Sequence, residues 1–97
     1  MLLLRDRKSF ARGVVVERVV WRLPAPSLER PHGFKYRLYC GQGGRCLVRY
    51  DNEAGKGDHK HLGAREVPYN FTTLDQLVDD FWADVADLRG DDDDCDD

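Results

Sequence analysis

Residues 34–51, FKYRLYCGQGGRCLVRYD, form the hairpin around which the predicted sheet is built. Apolar and polar residues alternate along both halves, and this period of two is typical of strands that bury one face. The glycine-rich GQGG between the halves supplies the turn of a hairpin. Because opposed residues in a hairpin share a face, matching the apolar faces predicts a register with Cys40 opposite Cys46, Leu38 opposite Val48 and Tyr36 opposite Tyr50.

Two more strands are predicted upstream of this hairpin, over residues 2–8 and 13–23. The second, GVVVERVVWRL, is rich in the β-branched residues that favour strands. Residues 23–33 contain three prolines and a glycine. They therefore form a connection, since proline cannot join the hydrogen-bond ladder of a central strand.

A helix is predicted after residue 73. Thr73 and Gln76 have the spacing of a capping box, and one apolar stripe follows at helical spacing, formed by Leu74, Leu77, Val78, Phe81, Val85 and Leu88. The predicted fold class is α+β. A small antiparallel sheet of four to five strands, arranged as a meander, is followed by one C-terminal amphipathic helix, with residues 65–71 as the optional fifth strand.

A single domain is predicted over residues 1–90, which is enough chain for one modest core. Residues 91–97, DDDDCDD, are predicted to be a disordered acidic tail, because like charges repel and nothing apolar anchors them. No apolar run approaches the roughly 20 residues of a membrane span, and none fits a signal peptide. We therefore expect a cytoplasmic protein with no membrane association and reduced thiols.

The net charge of −3 conceals a strong asymmetry. Residues 1–65 carry 14 Lys and Arg against six Asp and Glu, whereas residues 66–97 carry one against 12. A basic body suggests an anionic partner such as RNA, and the alternative is a dipolar surface that the acidic helix simply balances. Candidate nucleic-acid-binding residues are Lys35, Arg37, Arg45, Arg49, Lys60 and Arg65. They are also compatible with an ordinary solvated face.

The segment YDNEAGKGDHKH, residues 50–61, concentrates the chemistry of the chain. Metal-independent cleavage of RNA needs a base, an acid and cations that stabilise the charged phosphorane. In an extended segment His59 and His61 point to the same side and suit the proton transfers. Asp58 is the candidate for orienting a histidine, and Lys56 for binding phosphate. The predicted catalytic set is therefore His59, His61, Asp58 and Lys56.

Two alternatives stay open for this segment. The histidines with Asp51, Glu53 or Asp58 offer a plausible ligand set for a metal ion, although Lys56 and Lys60 would repel it. A purely structural role is the other, because Asp, Asn and Gly are turn formers and histidines often bond to the backbone. We expect neither a metal nor another cofactor.

The segment resembles the signature of the TumE family of toxins from toxin–antitoxin systems. That signature, YDNE-x-GKGDH-[RK]-H and then Glu-x-Pro-Tyr-x-Phe before a helix, is matched by Tyr50–Glu53, Gly55–His61, Glu66, Pro68, Tyr69 and Phe71. The resemblance spans about residues 2–89. It implies a small cytoplasmic toxin of a type II system, neutralised by a cognate antitoxin with a helix-turn-helix domain.

The resemblance does not imply a mechanism, so the chemistry rests on the residues. The leading hypothesis is a toxin that acts on RNA as a metal-independent endoribonuclease. The alternative hypothesis is a non-catalytic module of the same system that binds nucleic acid or protein.

Overall fold

A computed structural model of the chain describes residues 1–28, 30–53 and 57–96, with side chains described as far as residue 88. In this part of the chain the elements are β1 (Leu2–Ser9), a 3-10 turn (Ala11–Gly13), β2 (Val14–Arg22), β3 (Phe34–Gln42), β4 (Arg45–Asp51), β5 (His59–Leu62), β6 (Arg65–Pro68) and α1 (Leu74–Asp96). The α+β class and the C-terminal helix are confirmed. α1 runs to Asp96, but the side chains of residues 89–97 lie outside the described part. The domain limit at residue 90 and the disordered tail therefore stay predictions.

The sheet is an antiparallel meander of six strands in the order β1-β2-β3-β4-β5-β6. The predicted count of four to five strands was wrong, because β5 was not predicted as a strand. β6 lies within residues 65–71, the optional fifth strand of the prediction, and forms a second hairpin with β5. Gly63, with φ +63°, lies in the turn between them. The sequence HKHL of β5 lacks the β-branched residues that signal a strand. Its extended conformation is stabilised by pairing with β4 on one side and β6 on the other.

The register of the β3–β4 hairpin differs from the predicted one by two residues. Leu38 lies opposite Tyr50, and Cys40 lies opposite Val48. The predicted register was wrong for two reasons. The turn is tight, since Gly43 and Gly44 adopt φ +58° and +80°, as in the two-residue turns that suit twisted hairpins, and this moves the pairing by one residue. An irregularity of the β-bulge type between Cys40 and Gly41 moves it by one more. A shift by an even number of residues preserves the faces, so the predicted apolar face remains the buried one.

The core lies between one face of the sheet and α1. Leu77, Phe81 and Val85 of α1 are buried against strand residues that include Leu38, Val48 and Tyr50. The Phe81 ring meets Tyr50 edge-on, with ring centroids 5.8 Å apart. The predicted stripe is thus the core face of α1, and the other face of the sheet is left uncovered by the helix.

The N-terminus of α1 is capped as its sequence predicts. Thr73 Oγ1 accepts a hydrogen bond from the Gln76 N–H at 3.1 Å. The Gln76 side chain donates to Asp80 Oδ1 at 2.7 Å. Of the two hydrogen bonds of a capping box, the one accepted by the Thr73 side chain is therefore formed. The Gln76 side chain bonds to Asp80 instead and supports the first turns of the helix.

Candidate functional site

The sheet divides the sequence motif between its two faces. In the β4–β5 pairing His59 lies opposite Asp51 and His61 lies opposite Arg49, while Lys60 lies opposite the core residue Tyr50. Because opposed residues share a face, both histidines point away from α1 and Lys60 points toward it. We call the face away from α1 the open face.

His59 is held at both ring nitrogens. Its Nδ1 lies 3.0 Å from the carbonyl oxygen of Gly57, and since a carbonyl only accepts, Nδ1 carries a proton and donates it. Its Nε2 lies 2.7 Å from Asp51 Oδ1. The side chains of His59 and Asp51 are only 7% and 6% exposed. The imidazole is thus fixed in a buried position with Nε2 directed at carboxylates.

The contact between His59 and Asp51 is close but not aligned as a hydrogen bond. Asp51 Oδ1 has no hydrogen-bond partner among the described residues, although it is buried. The second oxygen, Oδ2, lies 3.1 Å from Arg49 Nε, a contact that also lacks hydrogen-bond geometry at the nitrogen. The Asp51 carboxylate is therefore surrounded by cationic or protonatable groups and is incompletely satisfied by them.

His61 lies between a donor and an acceptor. Arg49 Nη2 donates to its Nε2 at 2.8 Å, since a guanidinium has no lone pair to offer. Glu66 Oε2 lies 2.9 Å from the same nitrogen and 3.6 Å from Nε2 of His59. An unprotonated Nε2 satisfies Arg49, and a protonated one satisfies Glu66. The arrangement is suited to taking up and releasing a proton.

Five residues of the open face therefore form one polar cluster, which consists of Arg49, Asp51, His59, His61 and Glu66. The two imidazole rings have centroids 5.3 Å apart at 74°. A cleft of about 280 Å³ opens beside the cluster and is lined by Asp58, His59, Glu66, Val67 and Pro68. The Glu66 side chain is 46% exposed, so the cluster is accessible from solvent on that side.

Several of the predicted cationic residues share the open face with this cluster. Arg37 lies opposite Asp51 in the β3–β4 register, is exposed, and stacks over the Tyr39 ring at 5.0 Å. Lys35 is exposed two positions earlier on the same strand. Arg45 lies at the hairpin end of β4, opposite Gln42.

The other predicted cationic residues lie elsewhere. Arg65 pairs with Leu62, which places it on the face of the sheet that carries α1. Lys60 Nζ lies on the same side, 3.1 Å from Asp84 Oδ2. Lys56 falls outside the described residues.

Three tyrosines connect the motif to buried or acidic surroundings. The Tyr50 hydroxyl donates to Asp84, and the Tyr69 hydroxyl donates to Asp80 Oδ2 at 2.6 Å. Burial, and then these carboxylates, raise the pKa of both phenols well above the usual value. Burial also raises the pKa of Tyr36, with nearby Asp58 contributing. Tyr50 and Tyr69 thus attach the motif to α1 as neutral donors.

Asn52 has a structural role. Its Oδ1 accepts from the Tyr36 N–H at 3.1 Å, and its Nδ2 donates to the Phe34 carbonyl at 2.7 Å. The amide therefore continues the backbone ladder of β3 just beyond the end of β4. Together with Tyr50 and Lys60, it shows that part of the motif maintains the fold.

Asp58 contacts a histidine that the sequence did not single out. His32 Nδ1 accepts from the Phe34 N–H at 3.1 Å, so Nε2 carries the proton and donates to Asp58 Oδ2 at 2.9 Å. The His32 ring stacks on Phe71 at 4.0 Å. No local signal in the proline-rich connection could have indicated this pair, which joins residues far apart in the chain.

Sequence reasoning also missed Glu66 as a member of the site. It faces His61 across the β5–β6 hairpin, and predicting that hairpin would have identified it. His59, His61 and Glu66 have ligand atoms within 4.8 Å of one another, so within the described part of the chain these three residues form a group that could hold a metal ion. Lys60, one of the two lysines expected to repel such an ion, points to the opposite face.

The fold and the cluster together define a small α+β protein with a polar, partly cationic site on the open face of a meander sheet. The family model described as Toxin TumE matches residues 3–89, and the chain therefore belongs to this family of toxins. No curated protein and no solved structure matches it. Among the described residues, no helix combines the length and apolar character needed to cross a membrane.

Proposed function

We propose that this toxin acts in the cytoplasm on RNA, as a metal-independent endoribonuclease whose active site is the polar cluster. The observation that carries the proposal is the convergence of two imidazole Nε2 atoms on one carboxylate oxygen, at 2.9 and 3.6 Å from Glu66 Oε2. Cleavage through the ribose 2′-hydroxyl requires two proton-transfer groups, a base for the hydroxyl and an acid for the leaving oxygen.

The proposed reaction begins with the accessible histidine. His61 Nε2 takes the 2′-hydroxyl proton, the 2′ oxygen attacks phosphorus, and the bond from phosphorus to the 5′ oxygen breaks. His59 begins the step with a proton on Nε2 as well as on Nδ1, gives the Nε2 proton to Glu66, and Glu66 protonates the leaving 5′ oxygen. The step ends with His61 protonated and His59 neutral, and exchange with solvent restores both. The products are a 2′,3′-cyclic phosphate and a 5′-hydroxyl. Asp51 is a positioning residue for the buried imidazole of His59.

The cations of the open face supply the charge stabilisation. Arg49 contacts His61 directly at 2.8 Å, so its guanidinium lies beside the site where the phosphorane would form. Exposed Arg37 and Lys35 extend the cationic surface along β3. Fixed positive charges next to developing negative charge are among the largest contributions to catalysis. We assign phosphate binding to these three residues.

Purified protein incubated with RNA in excess EDTA tests this function. The wild type should yield fragments with 2′,3′-cyclic phosphate and 5′-hydroxyl ends, and His61→Ala should lose at least about 100-fold in rate. Lys60→Met is the matched control. Lys60 is next to His61 in the sequence, but its side chain lies on the face of the sheet that carries α1. Intact RNA after incubation with folded wild-type protein that arrests growth in cells would reject the proposal.

The alternative is a non-catalytic module that binds nucleic acid or protein. It is favoured by the exposure of Lys35 and Arg37 on a sheet face without a helix. In this case His61→Ala would still arrest growth, whereas Arg37→Ala would not. RNA would remain intact in cells that express either protein.

Membership of a toxin family suggests an antitoxin partner, and we propose a helix-turn-helix antitoxin of a type II system. Co-expression of the neighbouring reading frame should restore growth, and the two proteins should co-purify. A neighbour without a helix-turn-helix sequence would remove this part of the proposal and leave the chemistry untouched.

A further inference from the structure

We propose that His59, His61 and Glu66 form a binding site for a divalent transition-metal ion, with Zn²⁺ as the best match. Their ligand atoms lie within 4.8 Å of one another. In tetrahedral zinc sites with bonds of about 2.0–2.1 Å, ligand atoms are separated by about 3.3 Å. The distances from Glu66 Oε2 to the two Nε2 atoms, 2.9 and 3.6 Å, bracket this value.

His59 is already arranged as a metal ligand. Metal-binding histidines usually donate the second ring N–H to a carbonyl or carboxylate, which fixes the tautomer and the ring orientation. Here Nδ1 donates to the Gly57 carbonyl at 3.0 Å, and the side chain is 7% exposed. Nε2 is thus left to face the cluster from a fixed position.

The second observation is the buried oxygen of Asp51. Oδ1 lacks a hydrogen-bond partner among the described residues and lies 2.7 Å from His59 Nε2 in a side chain that is 6% exposed. A buried carboxylate oxygen without a partner is costly. A cation held at Nε2 would provide this oxygen with a favourable interaction.

The charged groups around the site allow an ion to enter. Arg49 Nη2 donates a hydrogen bond to the Nε2 lone pair of His61 at 2.8 Å. This hydrogen bond would have to break before Nε2 could bind the ion. Arg49 Nε would still face Asp51 Oδ2, at 3.1 Å. Lys60 is bonded to Asp84 on the other face. The ion would enter through the cleft beside Glu66.

The donor set indicates the class of metal. Two imidazole nitrogens and one carboxylate favour Zn²⁺ and related transition metals over Mg²⁺ or Ca²⁺, which prefer oxygen ligands. Three protein ligands leave a fourth position for water. The site does not depend on the proposed ribonuclease function, because an ion can bind whether or not RNA is cleaved.

Isothermal titration of ZnCl₂ into the full chain tests the site directly. All samples would carry Cys95→Ser, since a thiol among acidic residues is a separate candidate for metal binding. We expect one ion per chain and a loss of affinity of at least about 100-fold in His61→Ala. Glu66→Gln should also weaken binding, by at least about 10-fold. His32→Gln is the matched control and should keep its affinity, because His32 lies with Asp58 outside the ligand set.

Co²⁺ provides a second readout, since a tetrahedral site gives strong visible absorption that the same two variants should lose. Absence of Zn²⁺ binding in the Cys95→Ser chain would overturn the proposal. Equal affinity in the parent, His61→Ala and Glu66→Gln would also overturn it. Neither assay contains RNA, so a failure here is distinct from a failure of the proposed ribonuclease.

Discussion

Lys60 Nζ lies 3.1 Å from Asp84 Oδ2 and joins the middle of the histidine motif to the middle of α1. The residues on either side of Lys60 are the two histidines of the open face. Adjacent side chains on a strand point to opposite faces. One short strand therefore supports the helix with its central residue and presents the candidate site with the residues beside it.

The first prediction compares two cations that the sequence does not distinguish. Arg37→Ala should weaken RNA binding and reduce the salt slope of log K by about one, because an exposed phosphate contact is lost. Lys60→Met should leave both quantities unchanged, since its ammonium group is bonded to Asp84. Fluorescence anisotropy with labelled RNA across a KCl series measures both variants. Equal losses would mean that RNA does not bind on the open face.

The second prediction concerns Asn52, which is 1% exposed. Asn52→Ala leaves the Tyr36 N–H and the Phe34 carbonyl without their partner, and we expect the free energy of unfolding to fall by about 2–4 kcal/mol. For a domain of this size the melting temperature should drop by roughly 10 °C or more. The matched control is Glu53→Ala at the exposed neighbouring position, with an expected change within about 0.5 kcal/mol. Similar melting temperatures for the two variants would show that the Asn52 ladder contacts contribute little.

The third prediction concerns alkaline pH. Burial and Asp84 raise the pKa of Tyr50 above its ordinary value near 10.0, so the phenol stays neutral in the folded chain and ionises on unfolding. The unfolded state then holds fewer protons, and stability is lost as the pH rises above about 10. Tyr50→Phe should make this loss shallower. Urea unfolding at pH 9, 10 and 11 measures the slope, and an unchanged slope would assign it to Tyr36, Tyr69 and other groups.

The fourth prediction joins the metal site to the proposed chemistry. A lone pair that binds Zn²⁺ cannot accept a proton, so the zinc-loaded chain should cleave RNA at least about 10-fold more slowly than the EDTA-treated chain. A cleavage assay with equimolar Zn²⁺ and then excess EDTA checks that the inhibition is reversed. Activation by Zn²⁺ would instead mean that the ion takes part in cleavage. That result would reject the metal-independent mechanism while supporting the site.

The sequence alone determined the elements that depend on local pattern. Alternation along β3 and β4, the β-branched run of β2 and the apolar stripe of α1 each predict their element, because burial on one face imposes a period of two or 3.6 residues. Membership of the toxin family likewise follows from the motif and its spacing. The prediction of which residues face the core stayed correct despite the register error, because a shift by two residues leaves each side chain on the same face of the sheet.

Which motif residues lie together depends on strand pairing and on the path of the chain, and no local pattern encodes it. The β5–β6 hairpin has little strand propensity of its own, so its pairing partners create it and bring Glu66 to His61. Lys60 points toward Asp84 because it lies opposite Tyr50 of β4. The Tyr50 side chain is in the core, and opposed residues share a face of the sheet. The pairing of His32 with Asp58 joins two connections that are close only after the sheet has formed. Sequence patterns report which face a residue occupies, whereas contacts between strands and across connections depend on register and chain path.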